Sequence, residues 1–346
     1  MRRNRKDEHL QYFSQANHPG SPLFDQVFLE TQSFPELSFS ELDPSAVFMG
    51  KKIGLPLMIN AMTGGTEKGK KINASLARLA RDFHLPLQLG SMRLALEEPE
   101  SIESFRLARD LLGPEPVLLA NLGSEAREEE AQKAMDLIEA DGIGIHINPA
   151  QELSMAEGDR DFRGTKARVE ALCRAFPGRI IVKEVGFGFS IKDSQFLSSL
   201  PLDYIDVSGA GGTNFMEIED LRRMKTLREE SYPKDSLEEF YDWGIPTALS
   251  ILNVKKTCPG KKIIAGGGIR KASDLLKAIA LGADYGAVAG ALLKVILTQG
   301  EEGGRRYLED FRRHFLIGMA LLGAKDTKSL KKVPYRLMGQ LRELAP

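Results

Sequence analysis

An eight-fold β/α barrel is the fold this sequence predicts. Eight short apolar runs recur along the chain, and stretches with helical spacing lie between them. Polar or glycine clusters follow most of the runs. In a barrel of this kind the active site lies at the C-terminal ends of the strands. Strand–helix alternation argues a parallel sheet, and eight units argue closure.

The strand runs are 57–60, 87–90, 117–121, 143–148, 180–184, 204–208, 263–266 and 286–289. Most are apolar throughout rather than alternating, as parallel strands covered on both faces require. Residues 68–83 carry Ile72, Leu76, Leu79, Ala80 and Phe83 at helical spacing. Residues 126–140 end before Gly142, a plausible helix stop. Segments 165–176, 191–200, 247–257, 271–281 and 292–298 complete the alternation. Two regions fall outside it. Residues 1–55 form an N-terminal extension with Pro19, Pro22, Pro35 and Pro44, and 209–246 are an insertion after the sixth strand, read as a lid. The tail from Arg305 is amphipathic and reads as helices capping the barrel.

The totals bound the function. The 346 residues exceed the roughly 250 of a plain barrel, yet barrels with insertions pass 400. One domain over 1–346 is expected. With 42% hydrophobic and 27% charged residues the composition is that of a soluble globular protein. A formal net charge of -1 advertises no nucleic-acid face. No run approaches a membrane span, and no secretory apolar region follows the charged start. Cys173 and Cys258 show no metal spacing. A cytoplasmic protein with no membrane and no nucleic-acid partner is the expectation.

The strand ends carry the chemistry. The fourth ends Gly144-Ile145-His146-Ile147-Asn148-Pro149-Ala150-Gln151-Glu152. So much polar chemistry at a strand end costs free energy unless a partner or ligand satisfies it. Gly266-Gly267-Gly268-Ile269-Arg270 follows the seventh strand and Ala289-Gly290 the eighth, where barrels often bind phosphate. Lys183 near the end of the fifth strand needs an anion in the mouth, or else an ion pair with Glu184 or Asp206. Ser208 to Thr213, Ala61-Met62-Thr63, Ser91-Met92-Arg93 and Asn121 offer hydroxyls, amides and a cation at other strand ends. Glu152 is the acidic residue of its cluster, and one carboxylate with phosphate oxygens suits Mg²⁺.

These motifs resemble one family. The chain is similar to the type 2, flavin-dependent isopentenyl-diphosphate delta-isomerases, through most of its length and in order. The likeness runs from Arg5-Lys6-Asp7-Glu8-His9 through Ala61-Met62-Thr63-Gly64-Gly65, Asn121-Leu122-Gly123, the His146-to-Glu152 strand end, Lys183-Glu184-Val185-Gly186 and Gly211-Gly212-Thr213 to Gly267-Gly268-Ile269-Arg270. The Arg-Lys-x-Glu-His start and the His-x-Asn-x-x-Gln-Glu strand end are specific. The glycine loops are shared with other FMN barrels. The chain departs from the family pattern at Met155-Ala156, at Asn214-Phe215 and at Gly290-Ala291. None of these removes a charged group.

The resemblance implies FMN, Mg²⁺ on a small-molecule diphosphate, and NAD(P)H as reductant. It implies interconversion of isopentenyl and dimethylallyl diphosphate by a 1,3-allylic proton shift in isoprenoid biosynthesis, by a homo-oligomer of four or eight chains. By the same resemblance Ala61, Met62, Thr63, Ser91, Asn121, Lys183, Ser208, Thr213, Gly266, Gly267, Gly268, Arg270, Ala289 and Gly290 contact FMN. Arg5, Lys6, His9, Arg93, His146, Asn148 and Gln151 meet the substrate, and Glu152 the metal. Gln151, His146 and Lys183 are the catalytic candidates. Gln151 cannot ionise and would orient substrate or relay a proton; Lys183 would stabilise negative charge near flavin N1. A single phosphate cradle argues FMN rather than FAD. A flavin oxidoreductase on the same barrel would need a His or Cys over the flavin; the strand ends lack a second His. Residues 1–6 are expected to be disordered until diphosphate binds and then to fold over the mouth.

Overall fold

The computed structural model describes residues 2–18, 20–228 and 236–346, the side chains of 2–4 and 225–228 excepted. Eight parallel strands close a barrel in chain order: β1 (Leu57–Ile59), β2 (Leu87–Gln88), β3 (Leu118–Gly123), β4 (Gly142–Ile147), β5 (Ile180–Glu184), β6 (Tyr204–Asp206), β7 (Lys262–Ala265) and β8 (Tyr285–Val288). β8 returns to β1, with Gly286 opposite Leu57 and Val288 opposite Ile59. Each strand falls on one of the eight apolar runs. Their residues are buried almost without exception, so continuous Ile, Leu and Val cost nothing here. Register decides the site: Gly123 lies opposite His146, His146 opposite Lys183, and Lys183 opposite Asp206.

The longer helices are α1 (Arg2–Phe13), α2 (Glu67–Phe83), α3 (Glu103–Leu112), α4 (Glu128–Leu137), α5 (Thr165–Ala175), α6 (Ile191–Ser199), α7 (Phe215–Arg228), α8 (Thr247–Thr257), α9 (Ala272–Leu281) and α10 (Gly290–Leu321). α2 shows why they form. Thr66 caps its N-terminus by accepting from the Gly69 N–H, and Ile72, Leu76, Leu79 and Ala80 bury one stripe. α3 and α7 escape the sequence reading. α7 lies within the 209–246 insertion, of which 229–235 fall outside the described residues. α10 breaks at Gly300, whose φ of 70° is left-handed.

The extension and tail are tied together. Val27–Leu29 pairs antiparallel with Tyr335–Leu337. The tail therefore contains a strand as well as helices, and its helical part packs along α9, where Gly318 sits against Leu276. A hairpin of Ala46–Phe48 and Lys51–Ile53 covers the N-terminal end of the barrel. Its two turn residues, Met49 (φ 47°) and Gly50 (φ 79°), are both left-handed, as a tight two-residue hairpin demands. Phe48 is fully buried between Tyr204 and Tyr285, the first residues of β6 and β8, at ring distances of 5.1 and 4.9 Å. The Met49 N–H donates to the Tyr204 hydroxyl. This plug closes the end away from the site. Phe48→Ala should cost about 3–5 kcal/mol in urea unfolding without changing ligand affinity at the mouth; a loss under 1 kcal/mol would show the plug to be dispensable.

Candidate active site

The C-terminal ends of the strands open into a cavity of about 760 Å³. That is within the range of small-molecule sites. Lys183 is at its floor, 5% exposed. Its ammonium donates to the Glu184 carbonyl at 3.1 Å and stands 4.0 Å from Asp206 Oδ2. Burial pushes the Lys183 pKa down; the charges of Asp206 and Glu184 oppose that. Burial drives the Glu184 carboxyl up to about 7, against three backbone N–H donors, from Val185, Phe187 and Gly188.

One wall comes from β3 and β4. His146 Nδ1 pairs with Asn121 Oδ1 at 3.1 Å. Burial lowers the His146 pKa to about 4, and the cations Lys183, Lys6 and Arg93 add to the effect against Glu125. His146 is therefore neutral at pH 7. The short helix Pro149–Ser154 presents the rest. Asn148 Nδ2 donates to Gln151 Oε1 at 3.3 Å and to Glu152 Oε1 at 2.9 Å, while the Asp159 N–H donates to Glu152 Oε2. Arg93 lines the cavity, with its guanidinium held by Glu130 at 2.5 Å and Glu125 at 3.0 Å.

The roof is α1 laid on α7. The sequence reading expects residues 1–6 to order over the mouth only with diphosphate; in the structure they belong to a helix, and five consecutive side chains meet partners on α7 and the surrounding loops. Arg5 lies 3.7 Å from Glu157, Lys6 donates to Ser91 O at 2.6 Å, and Asp7 accepts from Thr66 Oγ1 at 2.8 Å. Glu8 pairs with Arg222 at 2.7 Å and His9 Nε2 meets Glu219 Oε1 at 2.6 Å. Arg222 also binds Glu157 and Glu219, at 2.6 and 2.9 Å. Gln151 Nε2 donates to the same Glu219 oxygen at 3.0 Å. Burial alone would raise Glu219; His9, Gln151 and Arg222 outweigh it and hold its carboxyl at about 2.

Nearly every residue singled out from sequence lines this one cavity: Arg5, Lys6, His9, Ala61, Met62, Thr63, Ser91, Arg93, Asn121, His146, Asn148, Gln151, Glu152, Lys183, Ser208, Thr213, Gly267, Gly268, Arg270, Ala289 and Gly290. Gly266 does not line it; its N–H is spent on Asp206. The Arg270 N–H is likewise spent, on Asp274, and its guanidinium on the Gly211 carbonyl. Sequence reasoning missed Glu219, Arg222 and Glu125. The signal for the first two was an acid and an arginine three residues apart, one face of a helix, within the insertion.

Comparison with known proteins agrees with the geometry. A chain of Bacillus licheniformis named isopentenyl-diphosphate delta-isomerase is 39% identical over 342 residues, covering 98% of this chain and 94% of that one. A Geobacillus protein of the same name is 38% identical over 339 residues, with 98% and 94% covered. The model of the FMN-dependent dehydrogenases matches residues 125–335. The chain belongs to the type 2, flavin-dependent isopentenyl-diphosphate delta-isomerases, within the FMN-dependent dehydrogenase family. Among solved structures, a mandelate oxidase variant with (S)-mandelic acid aligns with a TM-score of 0.68 over 96% of this chain and 94% of that one. At 14% identity that likeness speaks for the barrel alone.

The cavity of this family member fits a flavin. Thr63 Oγ1 is buried in the cavity wall with no hydrogen-bond partner among the described residues, an orphan a ligand would satisfy. Gly267 and Gly268 line the cavity with φ of 88° and 83°, a left-handed backbone that glycine adopts freely. Mg²⁺ has a weaker frame. Among the described residues no three His, Cys, Asp or Glu gather to hold a metal.

Glu219 makes the roof acid-sensitive. Its folded pKa, about 2, lies below its ordinary 4.5, so its contribution is present above 4.5 and lost as pH falls toward 2. Wild type should resist urea better than Glu219→Gln at neutral pH, by a few kcal/mol at most, and the gap should close across that window. A gap independent of pH would contradict the assignment.

Proposed function

We propose that this protein interconverts isopentenyl and dimethylallyl diphosphate by a 1,3-allylic proton shift, with reduced FMN on the cavity floor and Mg²⁺ on the diphosphate. The observation that carries the reading is one cavity with Lys183 at its floor, Gln151 on its wall and the cations of α1 over its mouth. The near full-length identity with proteins of that name supports the same substrate.

Arg5 and Lys6 give charge to the diphosphate from above, and Arg93 does so once drawn from Glu125 and Glu130. His146 is neutral, so it binds the diphosphate by hydrogen bonding and leaves the charge balance to these three cations and Mg²⁺. Glu152 would hold the cation, which would neutralise charge on the diphosphate. Gln151, held between Glu219 and Asn148, fixes the alkene carbons and passes a proton without ionising. Lys183 stabilises negative charge at the flavin N1 edge. When bound, reduced flavin supplies the acid and base at N5 with no net redox change. The α1 roof excludes water, which developing cation character requires. Remote diphosphate binding positions the reacting end. The same reading makes the chain one domain, cytoplasmic and homo-oligomeric, with NAD(P)H as reductant. Among the described residues no helix is long and apolar enough to cross a membrane.

Two experiments test it. Flavin released by heat should be FMN, and allylic isomerisation should require its reduction although the reaction is redox-neutral; full activity with oxidised FMN under oxygen would overturn the chemistry. Glu152→Gln should keep its FMN and need about 10–100-fold more Mg²⁺. A variant that loses FMN at unchanged Mg²⁺ dependence would remove Glu152 from the metal.

A further inference from the structure

We propose that Asp206 is a positioning residue for the flavin cradle: from beneath the floor it keeps Lys183 charged and holds Ser208 in place. The inference rests on the FMN reading above. Asp206 ends β6, is 1% exposed and does not line the cavity, so it acts through others. Its carboxylate joins four strand ends. Oδ2 accepts from Asn60 Nδ2 at 2.7 Å, past β1, and faces Lys183 of β5 at 4.0 Å. Oδ1 accepts from the Ser208 N–H at 3.1 Å, the Ser208 hydroxyl at 2.9 Å, and the Gly266 N–H of the β7 end at 3.1 Å.

Two further features exist to accommodate that carboxylate. Ser208 has a φ of 28°, in the left-handed region a side chain rarely adopts, and both of its donors are pinned by Asp206. A Cβ on Gly266 would come to 2.3 Å of Asp206 Oδ1 and of Ser208 Oγ alike. Gly266 therefore makes room for the carboxylate, where the sequence reading gives it to a phosphate.

The charges facing Lys183 are few. Glu184, on its own strand, turns its carboxylate to three backbone N–H groups. His146, across the register on β4, is neutral at pH 7. Asp206 is the acidic side chain within 4.0 Å of the ammonium among the described residues. An asparagine there cannot substitute. With its oxygen toward the Ser208 and Gly266 donors, its NH₂ would face Asn60 and the ammonium, donor against donor.

The test reads the midpoint potential of bound FMN from about pH 6 to about 10, in wild type and Asp206→Asn. Reduction places negative charge beside Lys183. A lysine already charged takes up no proton; a neutral one takes up one. The Asp206→Asn profile should therefore fall more steeply than wild type's over part of the range, by one proton per two electrons. Glu184 titrates in both proteins and cancels. Superimposable profiles would overturn the proposal. Failure of wild type to bind FMN is seen before any potential is measured, and would sink the functional reading instead. If Asp206→Asn does not fold or load, melting temperatures decide. The clash with Asn60 is common to both backgrounds, so Asp206→Asn should cost less melting temperature in Lys183→Met than in wild type. An equal or larger cost in the Lys183→Met background would overturn the proposal.

Discussion

A lysine ammonium at the floor of a closed barrel is the constraint from which the site follows. Lys183 has lost nearly all of its water, and such a charge survives only beside an anion. Register supplies it: β5 and β6 pair so that Lys183 lies opposite Asp206. Asp206 in turn gathers Asn60 and Gly266 from the ends of β1 and β7, and Ser208 from its own. One buried ion pair thus sets the positions of several groups that face the cavity.

The mouth follows a different rule. α1 ends in apolar residues that join the core, with Leu10 and Tyr12 buried. Its earlier turns are held by alternating charges that meet Glu157, Glu219 and Arg222. Such contacts can be exchanged for a charged ligand without losing a hydrophobic face. Arg5 and Arg93 both sit on carboxylates where a diphosphate would compete. The floor is built to be fixed and the roof to exchange partners.

The barrel was legible because its strands are short, apolar and buried on both sides, so each run marks one strand. The cavity lining was legible because barrel strand ends converge whatever their separation in sequence. Glu219 and Arg222 were not legible. They lie on α7, inside an insertion without a repeat, and only its docking against α1 and Gln151 gives them a role. The bond from Gly266 to Asp206 was not legible for the same physical reason: three glycines after a strand do not reveal which of them meets a carboxylate. The sequence reading places the start of α1 over the mouth but makes its order depend on the diphosphate, because so charged a segment reads as solvated until an anion meets it.

A crystal structure of the protein with FMN tests the central claim most directly. The account predicts the phosphate against Gly267, Gly268 and Gly290, with the ring edge on Lys183 and the Lys183–Asp206 pair intact beneath it. A flavin bound elsewhere, or Lys183 turned away from the ring, would contradict it.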